Sequence, residues 1–168
     1  PKANLQNGEA FDHWHAAFAV SVCGNEQANL QDGITDAQGI HTHGDGLIHI
    51  HPLSSQAAGE NAKVGIFLDA IGAQMSEDAI VFPDGTTLAA GTDCGGEPAI
   101  VQMWRWDLDA DLEPQVITSD FHDVRFRKDR EAYTFALAPE GFEPVQPPTV
   151  AGVDSASDVI DPLGDSTT

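Results

Sequence analysis

The sequence predicts an α+β fold, a mixed β-sheet packed on one main helix and followed by an extended C-terminal tail. Three observations carry that reading. Two stretches, residues 13–23 and 39–52, alternate two residue sets with period two, as strands do. Val64, Phe67, Leu68 and Ile71 fall at i, i+3, i+4 and i+7, the spacing of one helix face. From Pro139 onward, proline, glycine and aspartate replace residues that could form a core.

Taken in order, residues 1–12 form a polar N-terminal arm, 13–138 the α+β domain, and 139–168 the Pro/Asp-rich tail. The first strand spans 13–23. Its even positions Trp14, Ala16, Phe18, Val20 and Val22 are apolar, and its odd positions begin with His13 and His15. Residues 25–38 read as loop, or as a weak second strand turning at Asp32-Gly33. Residues 39–52 form a hairpin around Gly44-Asp45-Gly46. A three-residue loop at 44–46 sets His41 opposite His49, so that His41, His43, His49 and His51 share one face and Ile40, Ile48 and Ile50 the other. A two-residue turn would mix the sets, and register follows the arrangement that keeps one face apolar.

For the helix, Asn61 is the expected N-cap and Gly72 the C-terminal stop. Its apolar stripe should cover the aliphatic side of the hairpin. Strands are expected within 79–88, which turns at Asp84-Gly85, and at 100–106, 115–118, 124–126 and 133–137. Trp104 and Trp106 are read as packing residues. Residues 143–168 should lack helix and strand. If ordered, Val150, Val153, Val159, Ile160 and Leu163 should anchor them to a groove or to another subunit.

Composition excludes several partners. With 27 acidic and 7 basic residues the formal net charge is −20, which argues against nucleic acid or anionic membrane. Such a surface favours solubility and concentrates cations. The two cysteines, Cys23 and Cys94, lie in no Cys-x-x-Cys motif; one long-range disulfide is the economical reading, and it implies an oxidising compartment. Cys23 would continue the histidine-bearing face of its strand. No transmembrane segment or signal h-region is present, and a signal or anchor ahead of Pro1 is expected to have been removed or left out.

Six of the seven histidines occur in three His-x-His pairs: His13 and His15, His41 and His43, His49 and His51. Period two puts the members of a pair on one strand face, and neutral imidazole is a ligand for zinc and copper. The expected site is a copper(II) or zinc(II) centre built from His13, His15, His41, His43, His49 and His51, and replacing His41 and His43 is expected to abolish binding. Asp45 is a turn residue that could also serve as ligand or base; His122 and Asp123 are weaker candidates. No glutamate follows the pairs at cupin spacing, and no nucleophile elbow, phosphate loop or dinucleotide fingerprint is present.

The run His-Thr-His-x-Asp-Gly-x-Ile-His-Ile (residues 41–50), with the helix Val64-Gly65-Ile66-Phe67-Leu68-Asp69 and the early His13-Trp14-His15, resembles a group of uncharacterised bacterial proteins, mostly actinobacterial. The resemblance covers roughly residues 11–106 and is specific in the hairpin. It implies a secreted or membrane-anchored, extracytoplasmic protein with a histidine-rich site, and brings no activity with it. Members often carry Glu at the position of His51, which sets His51 apart from the other five. The order strand, hairpin, helix, strands also resembles a β-grasp arrangement.

The expected function is therefore extracytoplasmic binding of a transition metal, with no catalytic residue assigned. The alternatives are a metal-dependent enzyme with a three-histidine zinc site, or a structural subunit of a cell-envelope assembly. Beyond the metal ion, the expected partner is an envelope protein or a second copy held by the tail.

Overall fold

The computed structural model describes residues 1–3, 11–30 and 38–156. Among these residues the strands are β1 (Trp14–Val22), β2 (Asn25–Glu26), β3 (Ile40–His41), β4 (Leu47–Ile50), β5 (Gln74–Met75), β6 (Ala79–Val81), β7 (Thr87–Ala89), β8 (Ala99–Asp107), β9 (Gln115–Ile117) and β10 (Glu131–Pro139), with one α-helix, α1 (Val64–Ile71). The main sheet runs β3-β4-β1-β10-β8-β9, with β2 paired to β1. β1 and β10 are parallel and the other neighbours antiparallel, so the sheet is mixed. β5, β6 and β7 form a small separate sheet.

The even positions of β1 build the first core. Phe18 is buried edge-on against Phe67 of α1, ring centroids 4.9 Å apart, and the cluster extends through Ile40, Ile48, Ile50, Leu68, Ile71, Met103 and Phe135. The helix thus covers the aliphatic face of the hairpin, as its i, i+3, i+4 stripe requires. Gly72 ends it in the left-handed conformation (φ 69°), and the Ala73 N–H bonds back to the Leu68 carbonyl. Asn61 is not the N-cap. It lies in a 3-10 turn and donates to the Ser55 carbonyl, while Lys63 occupies the cap position and the Val64 N–H is taken by the Val124 carbonyl. That pairing also explains Val124 to Phe126, expected as a strand: they make one bridge, Lys63 to Arg125, and clamp the start of the helix.

The opposite face has a second core, which the sequence reading left out. Ala17, Ala132, Ala136 and Ala138 are small enough to admit a layer containing Trp104, Trp106, Leu47 and Val153. The segment after β10 supplies that cover. Phe142 stacks on Trp104 at 6.0 Å, and Pro148–Ser155 forms a 3-10 helix whose Val153 is buried. The Thr149 hydroxyl donates to the Gly46 carbonyl at 2.8 Å, Thr134 donates to the Val145 carbonyl at 2.7 Å, and Arg130 pairs with Asp154. The expectation of a tail without helix is corrected here: the domain's own sheet offers an apolar groove. Val150 and Val153 do anchor it; Val159, Ile160 and Leu163, like the turn at Asp32-Gly33, lie outside the described residues.

Cys23 and Cys94 are joined in a disulfide. β1 ends at Val22, and Cys23 takes a left-handed turn (φ 50°), so it does not extend the histidine face; Cys94 packs against the helix-side core. The bond closes a loop with a sequence separation of 71 residues. Reducing it should cost about 4 kcal/mol of stability by the chain-entropy estimate. Urea melts with and without reductant check that figure, and titration of the denatured, unreduced chain should find no free thiol.

Candidate metal centre

Each histidine is placed by the ladders. In β1 and β4, His15 lies opposite His49, and in β3 and β4, His41 lies opposite His49, so three imidazoles form a row across three strands. The Ile40 to Ile50 register is the one inferred from keeping the two faces apart, although regular pairing ends at His41 and the connection is longer than three residues. His13 and His51 extend the row towards the open end, and His43 towards the hairpin tip. Successive ring centroids are 4.8 Å apart for His13 and His15, 5.3 Å for His13 and His51, 4.9 Å for His15 and His49, and 4.5 Å for His43 and His49. All six imidazoles of the pairs therefore gather on one side of the sheet.

This side is not an open polar surface. His15, His41, His49 and His51 are each 9% exposed or less, while His13 is half-buried and His43 exposed. Three of them, His13, His15 and His49, offer ligand nitrogens that all lie within 4.8 Å of one another. Ligands of a tetrahedral zinc with bonds of about 2.05 Å sit about 3.3 Å apart. The widest pair therefore has about 1.5 Å or less to close, within reach of small χ rotations. The structure thus contains a candidate histidine-rich metal site.

Its supports come from outside the pairs. The His15 N–H donates to Asp129 Oδ1 at 2.7 Å, and the Arg130 N–H donates to the His15 carbonyl at 3.0 Å. Arg130 adopts φ 65° to do so. Asp45 combines two tasks. Oδ1 accepts the Leu47 N–H at 3.0 Å, which shapes the hairpin tip, and Oδ2 lies 3.1 Å from His49 Nε2. Burial pushes the Asp45 carboxyl up, but the Leu47 N–H and His49 outweigh it and hold the pKa below the usual carboxylate value. A carboxylate on one ring nitrogen fixes the tautomer and leaves the other nitrogen to a metal.

Sequence reasoning missed Asp129 and Arg130, because their contact with His15 spans more than a hundred residues of chain and no spacing encodes it. His122 and Asp123 stand elsewhere, over the start of α1, where Asp123 pairs with Lys63 at 2.7 Å. They have no part in the histidine cluster.

Comparison with protein-family models, with curated proteins and with solved structures finds no match to this chain.

Proposed function

We propose that this protein is an extracytoplasmic binding domain for a transition metal, copper(II) or zinc(II), held by the paired histidines. The observation that carries the reading is the convergence of His13, His15 and His49 within one ligand sphere, on a sheet face where His41, His43 and His51 supply further imidazoles. Imidazole donors without thiolate or methionine suit Cu(II) and Zn(II) rather than Cu(I). The Cys23–Cys94 disulfide supports an oxidising compartment, and no helix among the described residues is long and apolar enough to cross a membrane. The resemblance to secreted or anchored bacterial proteins fits the same location. A β-grasp-like architecture is supported by the parallel pairing of first and last strands at the centre of the sheet, with the hairpin strand β4 on one flank and β8-β9 on the other.

A second reading, a zinc enzyme, has one observation in its favour. A cavity of about 500 Å³ is lined by His43, Asp45 and His49 together with Thr149 and Ser155, which puts a carboxylate beside the imidazoles where a bound water could lose a proton. The binding role needs fewer groups and is preferred. For the subunit reading, residues 142–156 pack on their own domain and add no observation in its favour.

Calorimetry on untagged, metal-free protein should show binding of Zn(II) or Cu(II) at neutral pH. Affinity should fall as pH drops through the histidine range, because protons compete for the same lone pairs. Replacing His13, His15 and His49 together by glutamine should abolish the tight phase. Unchanged binding in that variant would refute the assignment.

A further inference from the structure

We propose that the hairpin tip holds a second metal ion, bound by His41, His43 and Asp45, so that each chain carries two. The inference rests on the binding function proposed above and adds a subsite to it. His41 Nε2 and His43 Nε2 face each other at 3.2 Å. That separation serves an imidazole hydrogen bond, and it is also close to the roughly 3.3 Å between two ligands of one tetrahedral ion. A cation can replace the shared proton once both rings turn so that their lone pairs meet to one side of the line joining the two nitrogens.

His41 and His43 cannot readily join the first trio on the same ion. The His41 and His49 rings are nearly parallel, 13° between planes with centroids 5.7 Å apart. An imidazole lone pair lies in its own ring plane, so two stacked rings do not aim at one point between them. His41 turns instead towards His43, with ring planes at 88° and centroids 4.8 Å apart. His49 divides the two groups. Its Nε2 faces Asp45 at 3.1 Å, and its ring also belongs to the trio with His13 and His15.

The anionic ligand assigned to this ion is Asp45, two residues beyond His43 and on the cavity that His43 lines. Its Oδ1 is engaged by the Leu47 N–H and the Thr42 hydroxyl, which fixes the carboxylate plane, while Oδ2 borders the cavity that His43 and His49 also line. Two imidazoles and one carboxylate leave at least one position on the ion open towards that cavity. The second ion is thus more exposed than the first, in keeping with the exposure of His43 and Asp45, and should exchange faster.

The test is stoichiometry on the full untagged chain, with zinc(II) as the probe and excess calcium to occupy exposed carboxylates without competing for imidazole. Wild type should retain two equivalents by elemental analysis after gel filtration. His41→Gln with His43→Gln should retain one, and His13→Gln with His15→Gln should also retain one. His43→Gln alone, at an exposed position, should lose the second, faster phase in calorimetry and keep the first. It also covers the case in which the His41/His43 variant fails to fold by circular dichroism. A single equivalent in wild type that survives in the folded His41/His43 variant and is lost with His13 and His15 would overturn the second site and leave the first intact. No bound zinc in wild type would overturn both.

Discussion

Replacing Glu131 by alanine should lower the unfolding free energy by about 3–5 kcal/mol, the usual cost of breaking a buried ion pair from one side. Glu131 is fully buried at the start of β10, yet every oxygen is used. Oε1 accepts from Arg105 Nε at 2.9 Å and also from its Nη2; Oε2 accepts from the Tyr133 hydroxyl at 2.7 Å and the Arg127 N–H at 3.0 Å. Arg105 reaches Gln115 Oε1 with Nη1 at 3.3 Å, tying edge strand β9 to the centre. Alanine leaves a guanidinium buried without its counter-ion, a tyrosine hydroxyl without its acceptor, and a void. The chain's one tyrosine makes the network readable. Burial first, and the Glu131 charge second, hold the Tyr133 pKa well above the ordinary phenol value. Its folded pKa therefore exceeds its unfolded one, so the contribution to stability is complete below about pH 10 and is lost as pH rises past that value. Tyrosinate absorbance should appear in alkali together with unfolding, and at lower pH in Glu131→Ala. Chemical denaturation curves of that variant matching wild type would contradict the role given to the pair.

Zinc should raise the melting temperature by about 5–10 °C at a free concentration near 100 times its dissociation constant. Binding to the native state alone contributes about 2.7 kcal/mol at that ratio, and a domain of this size gains about 2–4 °C per kcal/mol. The effect should shrink to the share of the hairpin-tip ion in the variant lacking His13, His15 and His49, and should fade as pH falls through the histidine range. Both outcomes are read by scanning calorimetry with and without metal. A metal-independent melting temperature, with binding otherwise demonstrated, would mean that the site is equally accessible in the unfolded chain.

Much of the histidine face was legible because a strand has only two sides. Once Ile40, Ile48, Ile50, Trp14 and Phe18 are assigned to the core, His13, His15, His41 and His49 have nowhere else to point. The helix was legible through its stripe and through Gly72, but its N-terminus was not. Asn61 has the chemistry of a cap, whereas tertiary pairing of Lys63 with Arg125 sets the first turn two residues later. Burial of the histidine side was also hidden. Alanines at 17, 132, 136 and 138 look uninformative in sequence; only the parallel placement of β1 beside β10 gathers them into a groove that a proline-rich segment can fill. Composition marks such a segment as poor in core formers but is silent on a partner within the same chain. The site supports, Asp129 and Arg130, were beyond reach for a similar reason: they act on His15 through backbone atoms.

X-ray absorption at the zinc edge of the loaded, untagged protein tests the central claim most directly. A histidine-built centre predicts a low-coordinate shell at about 2.0–2.1 Å with the outer-shell scattering of at least three imidazoles per tightly bound ion, diminished in the variant lacking His13, His15 and His49. The 27 acidic residues define the contrary result. A shell of oxygens without imidazole scattering, unchanged in that variant, would mean that zinc is held by the acidic surface and that the histidine face is not a metal centre.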